Sequence, residues 1–109
     1  MNLFILALSL LFSSDSKADV NHITCETMGI ASLRGELDLT QDLRQTDSGF
    51  GYELDMRSHP GAESSTVEIS VGGAGFTIFS TTQTVSLSDE PHELFIEFAG
   101  DFWINCWVD

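Results

Sequence analysis

From residue 31 onward, apolar and polar side chains alternate with a period of two, segment after segment. Ala31, Leu33, Leu37 and Leu39 fall on one side of such a segment, and Arg34, Glu36, Asp38 and Thr40 on the other. Phe50, Tyr52, Leu54 and Met56 alternate with Glu53, Asp55 and Arg57, and Val67, Ile69 and Val71 with Thr66, Glu68 and Ser70. Phe76 with Ile78, Val85 with Leu87, and Leu94, Ile96 and Phe98 continue the series. A strand points successive side chains to opposite faces, so this pattern describes half-buried β-strands, and no long window keeps the 3.6-residue period of a helix. Gly and polar clusters at 45–49, 58–64, 72–75, 88–91 and 99–101 punctuate the segments about every ten residues. That spacing predicts one small all-β domain, an antiparallel sandwich or barrel of six to eight strands.

Residues 1–18 are of a different kind. Leu3 to Phe12 is an apolar run interrupted only by Ser9, shorter than the roughly 20 residues that span a bilayer. A polar stretch from Ser13 to Lys17 follows, and Ser16 and Ala18 place small residues just before Asp19, as at a signal-peptidase site. The segment reads as a secretory signal peptide, although only the terminal amine supplies positive charge to its start, and residues 19–109 read as the exported domain. No cysteine follows the apolar run, so neither a lipid-modified anchor nor a stable membrane attachment after processing is expected. The expected location is periplasmic or extracellular.

The two cysteines are Cys25, near the start of that domain, and Cys106, near its end. In an exported chain they most simply pair, tying the first strand to the last. Closing so long a loop is worth at most about 4–5 kcal/mol by the chain-entropy estimate, a useful staple for a domain with a modest core. No C-x-x-C spacing exists to lower a thiol pKa, so a redox role is not expected.

Charge narrows the partners. The chain holds 17 acidic and four basic side chains, a net charge of −13, and its basic residues beyond the leader are Arg34, Arg44 and Arg57. No surface can form the basic patch that neutralises phosphates, so nucleic acid is excluded, and anionic lipid is repelled. Cations and basic proteins are attracted at long range.

Two hairpins can be read residue by residue. A Gly73–Ala74 turn would set Val71 opposite Phe76, Ile69 opposite Ile78 and Val67 opposite Ser80; the Gly72–Gly75 cluster reads as a turn and not as a phosphate loop, which must open a helix. For the last hairpin, a two-residue Gly100–Asp101 turn pairs Phe98 with Trp103 and Leu94 with Trp107. A three-residue loop over Ala99–Asp101 instead pairs Phe98 with Phe102, Ile96 with Ile104 and Leu94 with Cys106. Turn chemistry prefers the first, but burial prefers the second, because it collects the apolar partners on one face. The second register is therefore the expectation, and it groups Phe95, Trp103 and Trp107 with Glu93, Glu97 and Asn105 on the other face.

Catalytic templates fail. His92 and Glu93 begin an H-E-x-x-H string that ends at Ile96 instead of histidine, and the segment reads as strand, so zinc-protease geometry is missing. His22, His59 and His92 have no ligand spacing, and no G-x-S-x-G elbow occurs. Two groups remain. Glu36, Asp38, Glu53 and Asp55 occupy the polar sides of successive expected strands, where crowded carboxylates either hold a hard cation such as Ca²⁺ or form a solvated acidic face. Their spacing matches no calcium loop, and the solvated face is the reading preferred. Phe95, Trp103, Asn105 and Trp107 form the candidate binding group, with a final strand covered on both faces as its structural alternative.

The expectation is a non-enzymatic exported module, without cofactor, that binds or inhibits a basic macromolecule through an acidic, aromatic-bearing surface. A small-molecule or carbohydrate-binding β domain, a structural envelope or extracellular protein, and a small hydrolase using the acidic pair are the alternatives. In size, charge and architecture alone the chain resembles periplasmic inhibitors of lysozyme, which are small barrels; it lacks their Ser-Gly and Tyr-containing loop.

Overall fold

The structure is a computed structural model describing residues 19–29 and 31–109; the signal-peptide reading of residues 1–18 lies outside the described residues. The described residues fold into eight strands, β1 (His22–Met28), β2 (Arg34–Asp38), β3 (Arg44–Gly49), β4 (Tyr52–Pro60), β5 (Ser64–Gly73), β6 (Phe76–Ser86), β7 (His92–Ala99) and β8 (Phe102–Val108). They form two four-stranded antiparallel sheets, ordered β2-β1-β8-β7 and β3-β4-β5-β6. Within the sheets strands that follow one another in sequence pair, and β8 returns to β1. The strand order is thus that of an up-and-down barrel, flattened into two layers where the ladder lapses between β2 and β3 and between β6 and β7.

The alternation read from the sequence places the core. Ala31, Leu33, Leu37, Leu39, Leu54, Met56, Val67, Ile69, Val71 and Val85 are all buried between the layers, joined by Ile23, Phe102, Ile104 and Val108. Cys25 and Cys106 stand opposite each other on β1 and β8. They are bonded, with Cα atoms 4.1 Å apart, across the middle of the first sheet.

One strand has no counterpart in the apolar pattern. The 45–49 cluster expected as a connection is β3, whose sequence RQTDSG holds no apolar side chain and buries none. Its polar groups close one side of the sandwich. The Arg34 N–H donates to Asp47 Oδ2 at 2.9 Å and the Glu36 N–H donates to Gln45 Oε1, so side chains of β3 satisfy the edge amides of β2. On the opposite side the layers meet through Phe79 of β6 and Phe95 of β7, ring centroids 5.6 Å apart.

Both hairpin expectations are corrected. The β5–β6 turn is Ala74–Gly75, with Gly75 at φ +83°, and a register irregularity follows at Val71/Gly72, so that Val71 faces Phe79, Ile69 faces Thr81 and Val67 faces Gln83. A residue with a side chain is strained at that φ, which fixes which glycine turns. Gly73 is required for a different reason: a Cβ there would lie 2.6 Å from the ring of Phe76. The β7–β8 hairpin uses the two-residue Gly100–Asp101 turn, pairing Phe98 with Trp103 and Phe95 with Cys106. An irregularity between Glu93 and Phe95 then shifts the ladder, and Glu93 faces Trp107. The turn therefore dictates the register near it, and the irregularity recovers beyond Leu94 the register that burial favoured.

Candidate functional site

Because consecutive strands run antiparallel, the β1–β2, β3–β4, β5–β6 and β7–β8 turns gather at one end of the sandwich. The positive-φ glycines Gly29, Gly51, Gly75 and Gly100 stand one in each of them. Tight turns leave little chain to fold back over neighbouring side chains, and at this end the neighbours are large and apolar. Phe50 is 88% exposed, Phe98 67%, Phe76 52% and Met28 48%. The alternation had assigned Phe50, Phe76 and Phe98 to the inner face. Phe50 instead sits in a turn at φ +54°, Phe76 is the first residue after one, and Phe98 faces out because Trp103 is its partner.

Two ring groups lie at this end. Phe76 meets Tyr52 edge-on at 6.0 Å and Tyr52 lies 6.2 Å from the buried Phe102 of the other sheet, while on the outer face of β7 and β8 Phe98 lies 6.0 Å from Trp103. Beside Tyr52 an open depression of about 430 Å³ is lined by Ser48, Gly49, Gly51, Tyr52, Glu53, Gly73 and Ala74. An aromatic flank and a carboxylate together suit a basic side chain, whose alkyl stem packs on the ring while its charged head meets Glu53. Glu97 and Asp101 are also exposed, next to Phe98 and in the β7–β8 turn.

The expected binding group is divided by the β7 register. Phe95 lies opposite Cys106 on the inner side, against Phe79, so it is separated from the tryptophans. Trp103, Asn105 and Trp107 do alternate along the outer face of β8, all half-buried, which falls between the covered-strand and exposed-site readings. Across this face Trp103 lies between Met28 and Phe98, Asn105 between Glu26 and Ile96, and Trp107 between Thr24 and Glu93. Asn105 Oδ1 is buried without a hydrogen-bond partner among the described residues, and Ile96 is 42% exposed. Phe50 and Phe76 were missed because periodicity reports a face but not where a strand ends, and Phe98 because its face follows the turn that sets the β7–β8 register.

The four candidate metal-binding carboxylates are not brought together. Glu36 and Asp38 belong to β2 of the first sheet, whereas Glu53 and Asp55 belong to β4 of the second. The crowding argument assumed adjacent strands, but β3 intervenes and the chain changes layers there. Three of the four, Glu36, Asp38 and Asp55, have partners of their own. Arg34 pairs with Glu36 at 3.4 Å and with Glu26 at 2.9 Å, and His22 approaches Glu36 at 3.2 Å. Asp38 accepts from the Thr40 hydroxyl at 2.6 Å and the Thr40 N–H at 2.8 Å, and these bonds hold its carboxyl below the ordinary value. Asp55 receives two 3.0 Å bonds from Arg44, raising the guanidinium pKa. Among the described residues no three His, Cys, Asp or Glu side chains are grouped to hold a metal ion.

A second concavity, about 300 Å³, lies on the outer face of the second sheet and is lined by Arg44, Asp55, Arg57, Glu68, Ser80 and Thr82 among others, with no aromatic ring for a sugar to stack on. Comparison with known protein families, with curated proteins and with solved structures found no match.

Proposed function

We propose that this chain is a non-enzymatic exported binding module whose glycine-turn end docks on a basic protein. The observation that carries this reading is the collection of Phe50, Phe76, Phe98 and Met28, all about half exposed or more, at one end of a domain that is otherwise acidic outside. Exposed apolar patches of this kind on a soluble domain mark contact surfaces. A basic partner follows from the setting of the patch, because Glu53, Glu97 and Asp101 border it and the net charge of −13 steers cationic surfaces toward it. The aromatic side chains exclude water at the centre of such a contact, and the carboxylates form its polar rim. Export into an oxidising compartment fits the Cys25–Cys106 bond.

The test is recovery of partners by the tagged full chain from the cells that make it, in about 50 mM and about 500 mM NaCl. The expected result is a basic protein recovered at low salt, lost at high salt, and reduced at least about tenfold by Phe98→Ser, a loss typical of a central aromatic anchor. Recovery that ignores either salt or Phe98→Ser contradicts the reading. Phe98-dependent sedimentation with zwitterionic vesicles, in the absence of a protein partner, replaces it with a lipid-contacting one.

A further inference from the structure

Between Glu68 and Asp89 the chain contains no charged residue and no proline. β6 lies inside that stretch, is the longest strand at 11 residues, and forms an edge of the second sheet. Its ladder is with β5, and among the described residues no backbone hydrogen bond leaves the other side of residues 76–85. Soluble proteins normally blunt such edges with charge, proline, bulges or cover. The other edges here are treated that way. Asp47 and Gln45 of β3 close off β2, and β7 carries His92, Glu93 and Glu97 together with an irregular register. β6 carries neither charge nor proline, and its one irregularity, at Ile78 near its start, leaves residues 79–86 a regular uncharged edge.

We propose that β6 pairs with β6 of a second copy of this chain, antiparallel across a two-fold axis, joining two four-stranded sheets into one of eight strands. Charge decides between self-pairing and other occupants. Two copies each at −13 repel over most of their surfaces, and an uncharged edge is where they can approach without opposing carboxylates. The edge also complements itself. An antiparallel register centred on Thr81 sets Ser80 opposite Thr82 and Phe79 opposite Gln83, and hydroxyl-bearing cross-strand pairs of this kind stabilise a ladder. The contact uses the same strand from both copies, so it closes as a dimer and does not propagate. Glu93 and Glu97 of β7 stand on the same side of the sandwich and oppose their counterparts, so association strengthens as salt screens them. Docking at the turn end has the opposite salt dependence and uses a different surface, so either idea can fail without the other.

Sedimentation equilibrium of the full chain, at about 50 mM and about 500 mM NaCl, tests it. The expected result is a reversible monomer–dimer equilibrium, at least about threefold tighter at high salt. Ser80→Glu and Thr84→Glu each place a carboxylate on the exposed edge and should weaken association at least about tenfold, whereas Ser80→Val keeps the edge uncharged and retains it. Amide exchange in residues 76–86 should slow as concentration rises. A monomer at every concentration and salt overturns the proposal. A dimer that both glutamate variants leave intact, or one abolished by Phe98→Ser instead, also overturns it.

Discussion

The two ends of the sandwich solve the same problem differently. At one end three of the four connections are two-residue glycine turns, beside which Phe50, Phe76 and Phe98 lie in solvent. At the other, the segment before β1 buries Val20 and the β2–β3 connection buries Leu39. There the backbone is tied across elements: Leu39 N–H donates to Asn21 O at 2.8 Å, Leu87 N–H to Glu63 O at 3.0 Å, and Val20 N–H to Leu87 O at 3.2 Å. The buried Ser58 hydroxyl adds a 2.6 Å bond to Gln41 O. The exposed side chains at this end include Asp42, Glu63, Asp89, Glu90 and Asp109. One end spends its residues on closing the core and on solubility, and the other leaves apolar surface that the core does not need. The proposed contact surface rests on that exposure.

The largest expected effect strikes what both ends share. Replacing Cys25 and Cys106 together with alanine removes a cross-link between residues 81 apart in sequence, at a cost of about 2–5 kcal/mol. A denaturant titration checks it, and an unchanged midpoint would mean that the ends are held by the sheets alone. A smaller effect should separate the ends. Gly75→Val forces a β-branched residue to φ +83° and should cost about 1–3 kcal/mol. Ala62→Val, in an exposed connection of the other end, should stay within about 0.5 kcal/mol. Equal losses would break the distinction between a turn end fixed by backbone geometry and a loop end fixed by hydrogen bonds.

The smallest effect belongs to Asp38, at the loop end. The Thr40 hydroxyl and, after it, the Thr40 backbone N–H lower its pKa from 3.8. A depressed carboxylate contributes stability that is present above its unfolded value and disappears as pH falls through the lower folded value. Thr40→Val removes the hydroxyl bond, so the Asp38 titration followed by NMR should move up toward 3.8. An unmoved midpoint would show that the backbone bond alone sets it.

How far the sequence reveals this molecule depends on whether burial leaves a periodic trace. Leu54 with Met56 and Val67 with Ile69 alternate because one face of each strand is dry, and all four lie in the core. The Cys25–Cys106 bond was legible from the places of the two cysteines at either end of the alternating region, in a chain read as exported. β3 was not, since its Asp47 and Gln45 work by capping edge amides, which needs no apolar residue. Among Gly72, Gly73, Ala74 and Gly75 the turn position was underdetermined, as three of the four residues accept positive φ without cost. The irregularity before Phe95 was invisible, and with it the separation of Phe95 from Trp103 and Trp107. Phe50 and Phe76 looked like core because hydrophobicity says nothing about where a strand stops, and Phe98 because the register that burial favoured paired it with Phe102 instead of Trp103.

Placing a photoreactive phenylalanine derivative at position 98, and separately at position 43, in the full chain compares the two ends directly in the cells that make the protein. Leu43 is also exposed, at 38%, but lies at the loop end. Cross-linking to a basic protein from position 98 and not from position 43 is the result expected if the glycine-turn end is the contact surface. Equal cross-linking from both positions, or adducts from position 43 alone, would contradict that claim.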